Sequence, residues 1–232
     1  MTKHNIFTFC QVLFTVIFLP KAVKAEIVDF VANATTVCQN DLVTFNCSAV
    51  GNQAAHTYQL YVNGVMNDSN SFGVWSLAMT TGGVFNFTCV ANNTLGTDRR
   101  IVAVTVNVSS FIEPISNEVI SEGVNLTLSC HATGIPVPTV FWVKTSNGQH
   151  TNGTELVFGN ISRNESGEYR CQAWNPCGNA SESATIDVQF EAEIVDFVAI
   201  PTSVCKNDVV TFNCAAVGNP VVHTYLLYVM AP

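Results

Sequence analysis

The chain has 232 residues, of which 48% are hydrophobic and only 11% are charged. This composition supplies ample core material and excludes a mainly disordered chain. The formal net charge of −8 excludes nucleic acid and anionic membrane surfaces as expected partners, because both require basic patches. The length allows one or two ordinary domains plus a remainder.

Residues 1–25 have the features of a secretory signal peptide. A basic start precedes an apolar run from Ile6 to Leu19, and small residues follow at Val23 and Ala25. The run is too short to span a membrane comfortably, and no later segment is long and apolar enough. A signal anchor is the alternative. The sequence predicts a secreted or extracellular chain without a membrane span, and a full-length form could carry an anchor.

Nine cysteines are present, and eight of them lie outside residues 1–25. In a secreted chain these eight would meet an oxidising compartment, where disulfides form and persist. Asn-x-Ser/Thr sequons are also dense, which predicts a glycoprotein. Asn46 is set aside, because it lies beside Cys47 in a predicted strand. The candidate N-glycosylation sites are Asn33, Asn67, Asn86, Asn92, Asn107, Asn125, Asn152, Asn160, Asn164 and Asn179.

Residues 26–109 form the first predicted domain. Asp41–Cys47 alternates apolar and polar residues, as a half-buried strand does, and Asn63-Gly64 predicts a hairpin turn. Cys89 follows Cys47 by 42 residues and begins the spacing Cys-x-Ala-x-Asn-x-x-Gly.

Residues 110–190 form the second predicted domain. Cys130 and Cys171 lie 41 residues apart, and Trp142 follows Cys130 by twelve residues. Tyr169 stands two residues before Cys171, within the run Glu-Ser-Gly-Glu-Tyr-Arg-Cys. Cys171 then begins the same Cys-x-Ala-x-Asn-x-x-Gly spacing.

This order of Cys, Trp, Tyr and Cys resembles domains of the immunoglobulin superfamily, of the I-set or C2 type. The resemblance implies an all-β fold of tandem immunoglobulin-like sandwiches. It implies that Cys130 pairs with Cys171, that Trp142 packs on this disulfide, and that Tyr169 forms a tyrosine corner. The cysteine separations leave no room for the two extra strands of a variable-type domain.

The first predicted domain departs from this pattern at two places. The resemblance implies a Cys47–Cys89 disulfide, but Tyr58 or Leu60 stands where the core tryptophan is expected. Phe87 replaces the corner tyrosine, so it can fill the core but cannot donate the corner hydrogen bond.

Residues 191–232 are predicted to be a truncated third domain. Residues 192–229 align without gaps to residues 25–62, with 28 of 38 positions identical. The period is 167 residues, so the repeating unit is a pair of domains rather than one. Three strands cannot bury the inner faces of a sandwich, and Cys214 lacks a partner. A genuine short secreted form is the alternative to truncation.

Cys38 and Cys177 lie outside the two core pairs. Cys38 precedes Cys47 by nine residues, near the turn between the first two strands, and Cys177 lies in a loop of the second domain. Both are expected at the ends of the sandwiches that face each other, so we hypothesise an inter-domain Cys38–Cys177 disulfide. Intermolecular pairing and free thiols are the alternatives. Cys205 repeats the Cys38 position, and Trp174 is expected either to pack at the domain junction or to contact a partner.

The sequence contains no recognisable catalytic, cofactor-binding or metal-binding motif, so we expect a non-enzymatic chain without a cofactor. The resemblance implies an extracellular protein that binds a protein ligand, or binds itself, in cell adhesion or cell-surface recognition. An extracellular-matrix spacer and a soluble immune receptor or decoy are the alternatives. Alternating domain types suggest a semi-rigid array.

Overall fold

The computed structural model describes residues 22–51, 55 and 57–228, so most of the predicted signal peptide lies outside the described residues. In chain order the strands are β1 (Glu26–Ala32), β2 (Thr36–Cys38), β3 (Leu42–Val50), β4 (Thr57–Val62), β5 (Val65–Asn70), β6 (Val74–Ala78), β7 (Gly83–Asn93), β8 (Gly96–Ile112), β9 (Glu118–Ser121), β10 (Leu126–Ser129), β11 (Ala132–Ile135), β12 (Thr139–Lys144), β13 (His150–Asn152), β14 (Glu155–Phe158), β15 (Gly167–Asn175), β16 (Gly178–Ile200) and β17 (Thr211–Asn219). A short 3-10 helix spans Arg163–Glu165. The predicted all-β fold class is confirmed.

The chain divides into two compact units. The first consists of the described residues up to Thr35, together with Leu42–Ala78 and Val84–Val104. The second consists of Thr36–Asp41, Met79–Gly83 and the described residues from 105 onward.

The two long strands β8 and β16 pass without interruption through the predicted domain boundaries at 109/110 and 190/191. The boundaries themselves remain predictions. Both predicted boundaries fall within continuous β-strands rather than in irregular or glycine-rich linkers.

The first unit contains the sheet β1-β3-β6 and most of the strands β4, β5, β7 and β8 of a second sheet. Along β3, Val43, Phe45 and Cys47 are buried while the residues between them are not, as a strand with one core-facing side requires. Phe45 contacts Phe87 at a ring-centroid distance of 4.3 Å. Burial of each such side chain contributes about 1.5–3 kcal/mol, so this aromatic pair is central to the core.

The second unit contains a second sandwich. One sheet pairs β10 with β14, and the other has the order β13-β12-β15-β16, with β9 parallel to β16. Its core includes Trp142, Tyr169, Cys171 and Ile161, all nearly inaccessible to solvent. Phe158 and Tyr169 meet edge to face at 5.5 Å, a favoured arrangement of aromatic rings.

The repeated segment forms a two-stranded ribbon, in which the end of β16 pairs with β17. None of its described residues, from 191 to 228, is buried. Phe197 and Phe212 stack at 6.1 Å, yet they are 53% and 48% exposed. Two strands have no second layer to pack against, which is why their apolar side chains stay accessible.

Candidate interaction surfaces and cysteine cluster

Two disulfides lie in the cores of the sandwiches. The structure joins Cys47 to Cys89 and Cys130 to Cys171, with Cα–Cα distances of 6.5 and 6.4 Å. All four residues are at most 1% exposed. The pairings are those that the immunoglobulin resemblance implies.

The residue that faces each core disulfide follows from strand register. Trp142 lies directly opposite Cys171 in the β12–β15 pair and is 1% exposed. Leu60 lies opposite Cys89 in the β4–β7 pair and is fully buried. Leu60, rather than Tyr58, therefore occupies the position of the core tryptophan in the first sandwich.

Tyr169 anchors the chain before β15. Its hydroxyl donates a hydrogen bond to the backbone carbonyl of Glu165 at 2.9 Å. Burial, with a smaller effect of the Glu165 charge, raises the pKa of Tyr169 to about 12, so the phenol stays protonated and keeps donating at neutral pH. Ser162 and Glu165 form a capping box just upstream, which fixes the carbonyl that accepts this bond.

Cys38 and Cys177 are also joined, with their Cα atoms 5.6 Å apart. Cys38 ends β2, whose parallel pairing with β8 places Cys38 beside Asn107. Cys177 lies in the two-residue turn between β15 and β16. We call Cys38, Cys177, Asn175 and the β8 backbone at Val108 the cysteine cluster; all of it lies within the second compact unit.

Asn175 supplies the polar contacts of the cysteine cluster. Its side chain is 2% exposed, and Nδ2 donates to the carbonyls of Val108 at 2.7 Å and Pro136 at 3.0 Å. Its Oδ1 accepts a hydrogen bond from the Cys177 amide at 3.0 Å. A buried amide with these partners fixes the turn that carries Cys177 against β8.

Sequence reasoning did not assign a role to Asn175, although the Cys-x-Ala-x-Asn-x-x-Gly spacing contains the signal. The same spacing places Asn93 in the first sandwich, where Nδ2 donates to the Val23 carbonyl at 3.2 Å and Oδ1 accepts from the Leu95 amide at 3.0 Å. In both sandwiches this asparagine therefore binds backbone that lies well upstream in the chain.

Gly134 allows the chain to come close to Asn175. A Cβ at this position would lie 2.8 Å from Asn175 Nδ2 and 3.3 Å from the Ser109 carbonyl oxygen. Only glycine permits that approach without displacing the cluster. β11 continues the contact, since Ala132 and Thr133 pair with the end of β8.

Trp174 lies on the outward face of the sheet rather than inside the cysteine cluster. Strand alternation buries Cys171, Ala173 and Asn175 of β15 and turns Trp174 outward, where it is 58% exposed. It borders a shallow depression together with Phe141 of β12, Gln172 of its own strand and residues 179–181 of β16. We call this surface the Trp174 face.

The candidate N-glycosylation sites differ in accessibility. Asn92 is half-buried, and Asn107 is only 9% exposed. Glycosylation of Asn107 stays a prediction, and this residue pairs with Cys38 in the β2–β8 register. Asn46, which sequence reasoning set aside, is exposed, since alternation turns it away from the core side of Cys47. The exposed candidates are Asn33, Asn67, Asn86, Asn125, Asn152, Asn160, Asn164 and Asn179.

Cys205 and Cys214 of the repeated segment are free thiols in the structure. The turn around Cys205 reproduces that around Cys38. The Cys205 amide donates to Asp208 Oδ2 at 2.7 Å, and the Cys38 amide donates to Asp41 Oδ2 at 2.8 Å. The local sequence therefore builds the same turn in both copies.

An ion pair on the second sandwich shows the largest shift of a carboxyl pKa. Arg163 donates to Glu122 through Nε and Nη2, the latter at 2.6 Å, and these hydrogen bonds lower the pKa of Glu122 to about 2. Arg163 also lies 3.9 Å from the centroid of the Phe190 ring and 3.2 Å from Glu193. These contacts hold the Arg163 side chain against Glu122, Phe190 and Glu193, and none of these four residues is a nucleophile of the Ser or Cys type.

The described residues contain no group of three or more His, Cys, Asp or Glu side chains placed to hold a metal ion. No helix among these residues has the length and apolar character needed to cross a bilayer.

Comparisons with known proteins show what this chain is similar to. Residues 110–175 match the family model described as an immunoglobulin domain. Hemicentin-2 of Mus musculus is 33% identical over 150 residues, which cover 58% of this chain and 3% of that protein. Neuronal cell adhesion molecule of Mus musculus is 30% identical over 148 residues, which cover 58% of this chain and 12% of that protein. The chain thus spans a small fraction of these relatives.

Solved structures show the same fold. The N-terminal eight immunoglobulin domains of Down Syndrome Cell Adhesion Molecule superpose with a TM-score of 0.58 at 21% identity, covering 73% of this chain and 25% of that chain. An I-band fragment of titin gives a TM-score of 0.54 at 18% identity, covering 72% of this chain and 66% of that chain. Residues 110–175 therefore match an immunoglobulin domain, and the sandwiches of this chain have the fold of the immunoglobulin domains in these solved structures.

Proposed function

We propose that this chain acts as an extracellular binding protein, in cell adhesion or cell-surface recognition. The observation that carries the proposal is a tandem of disulfide-centred immunoglobulin sandwiches that is similar in sequence to a neuronal cell adhesion molecule. One fold hosts many functions, so this similarity supports binding as the class of activity and names no ligand.

Electrostatics supports binding rather than catalysis. The carboxyl with the most strongly shifted pKa, Glu122, is paired with Arg163 at a surface where both side chains are about a third exposed. The pair lines a cleft with Phe190, and the hydrogen bonds from Arg163 account for the lowered pKa as that of a structural ion pair. We therefore propose that the chain is not an enzyme and that its partners are proteins, including a second copy of itself.

The β4–β5 hairpin offers a candidate contact surface in the first compact unit. Met66 is 55% exposed, and Tyr61 lies directly opposite Met66 on the same side of the sheet. Methionine and aromatic side chains are enriched in protein interfaces, because they bury large areas with adaptable packing. We call Tyr61 and Met66 the hairpin patch.

Bead aggregation tests self-binding through the hairpin patch. Beads coated with the full chain at graded densities should cluster, and Met66→Arg should abolish clustering, because a charge buried in an interface is costly. Val119→Arg is the matched control, since Val119 is 64% exposed on β9 and lies outside the patch. Clustering that survives Met66→Arg would exclude the patch. No clustering at any density would exclude homophilic adhesion, and binding to a panel of cell types would then test a separate ligand.

A second candidate function is an extracellular-matrix spacer. Basement membrane-specific heparan sulfate proteoglycan core protein of Mus musculus is 28% identical over 169 residues, which cover 68% of this chain and 4% of that protein. Fractionation of expressing cells separates the candidates. Recovery in the detergent-insoluble matrix supports a spacer, whereas surface labelling of intact cells supports an adhesion receptor.

The predicted signal peptide, the disulfides and the exposed sequons support extracellular localisation and glycosylation. Free cytosolic thiols would oppose the proposal, because disulfides persist in oxidising compartments. Non-reducing gels of medium and lysate provide the measurement.

A further inference from the structure

The Trp174 face has an unusual combination of side chains. Trp174 is 58% exposed, and its directly opposite cross-strand neighbour is Asn179, the acceptor of an Asn-Ala-Ser sequon. Directly opposite residues of an antiparallel pair have Cβ atoms about 4.5–5.5 Å apart and project to the same side of the sheet. A substituent on Asn179 would therefore start beside the indole ring.

The same relation occurs a second time on this face. Phe141 of β12 projects outward and lies directly opposite Asn152 of β13, which is the acceptor of an Asn-Gly-Thr sequon. Each exposed or half-exposed aromatic side chain of the face therefore has a sequon asparagine as its neighbour on the next strand. Phe141 and Trp174 also border the same shallow depression.

We propose that the Trp174 face packs against N-linked carbohydrate that is attached to this same chain. The first N-acetylglucosamine residue on Asn179 packs against the indole of Trp174. Sugar rings present a face of C–H groups, and the electron-rich face of an indole attracts such groups while apolar area leaves water. A sugar in this position explains why a large aromatic side chain is placed outward, and it withdraws Trp174 from contact with protein partners.

The inference rests on the proposed entry of the chain into the secretory pathway. There, the donor is an oligosaccharide carried by a polyprenyl pyrophosphate. A bond forms between Asn179 Nδ2 and C1 of the first sugar while the bond from C1 to the pyrophosphate oxygen breaks. Nδ2 loses one proton to solvent, and the polyprenyl pyrophosphate leaves, so no oxidant or reductant is needed.

Tryptophan fluorescence provides a specific readout. The other two tryptophans, Trp75 and Trp142, are only 4% and 1% exposed. Quenching by acrylamide in the folded, full chain therefore reports mainly on Trp174.

The test compares the glycosylated chain from mammalian cells with Ser181→Ala, which removes the Asn179 sequon without changing Asn179. The Stern–Volmer constant should rise roughly twofold in the variant, because a sugar ring covers one of the two faces of the indole. Trimming the wild-type glycan to a single N-acetylglucosamine should leave the protection intact. Ser69→Ala, which removes the exposed Asn67 sequon on β5, is the matched control and should leave quenching unchanged.

Glycopeptide mapping separates the possible failures. An occupied Asn179 with equal quenching in wild type and Ser181→Ala would overturn the packing proposal while leaving secretion intact. A secreted chain with Asn179 unoccupied would also overturn it, and an entirely unglycosylated chain would count against the extracellular proposal as well. Asn179→Gln serves as a second variant if Ser181→Ala secretes poorly.

Discussion

In the second sandwich the buried indole comes from β12, where Trp142 faces the core disulfide, whereas in the first it comes from β6. There Trp75 is 4% exposed and lies opposite Phe45, while Leu60 takes the position that faces Cys89. The two cores keep the disulfide and the alternating strands but distribute aromatic volume differently. Core volume and patterning are therefore more constrained than the identity of one side chain.

The corner residue shows the same contrast with a different consequence. Tyr169 fills the core and also donates to the Glu165 carbonyl, whereas Phe87 fills the core and packs on Phe45. Both corner residues make an aromatic contact, since Tyr169 meets Phe158 edge to face. The second sandwich therefore has one additional hydrogen bond at this position, which contributes about 1 kcal/mol.

The largest expected effect comes from removing the core tryptophan of the second sandwich. Trp142→Ala should lower the free energy of unfolding by about 3–5 kcal/mol, because a large cavity would open beside the Cys130–Cys171 disulfide. Hydrogen exchange should accelerate in peptides from β12 and β15 and stay unchanged in peptides from β4 and β7. Val119→Ala is the exposed control. Equal acceleration of exchange in both sandwiches would contradict this expectation, since it would show that the two sandwiches do not unfold separately.

The disulfide of the cysteine cluster should have the next largest effect. The double variant Cys38→Ser/Cys177→Ser should lose about 2–4 kcal/mol, since the unfolded chain regains the entropy of an open loop. Hydrogen exchange at residues 175–178 measures the local effect. Cys205→Ser, which alters an exposed free thiol, is the control. A free Cys177 in non-reducing peptide mapping of the wild type would contradict this pairing.

Exchange of the corner residues should have a smaller effect. Tyr169→Phe should cost about 1 kcal/mol through the lost hydrogen bond to Glu165. The reciprocal Phe87→Tyr should not stabilise the first sandwich, because a phenol placed beside Phe45 would lose hydration without a defined acceptor. Urea denaturation followed by circular dichroism checks both variants. A gain in stability from Phe87→Tyr would show that the first sandwich also has a corner acceptor.

The smallest expected effect concerns Glu122. Its folded-state pKa of about 2 lies below the ordinary value of 4.5, chiefly because Arg163 donates hydrogen bonds to the carboxylate. Its contribution to stability is therefore complete above pH 4.5 and is lost as the pH falls through about 2. The pair is solvent-exposed, so salt should weaken the effect. Thermal midpoints of wild type and Glu122→Gln should converge at low pH, and Glu118→Gln is the control.

Much of the candidate site could be predicted from sequence, because it depends on local spacing. The Cys-Trp-Tyr-Cys order predicts the second core, and the repeat predicts that Cys205 has the surroundings of Cys38. Two assignments required the three-dimensional structure. Asn107 and Asn46 carry identical sequon signals, yet Asn107 is buried and Asn46 is exposed. The face that a strand buries depends on the strands with which it pairs. The three residues of a sequon carry no information about that pairing.

The repeat could be read directly from the residues, whereas the fold class and the two core disulfides were predicted from the resemblance to immunoglobulin domains. Three contacts became visible in the folded chain alone: Leu60 faces Cys89, Asn175 donates a hydrogen bond to the backbone of β8, and Trp174 lies opposite Asn179. The physical reason is register. Strand pairing joins residues that are distant in sequence, and a shift of one residue would turn each of these side chains to the opposite face.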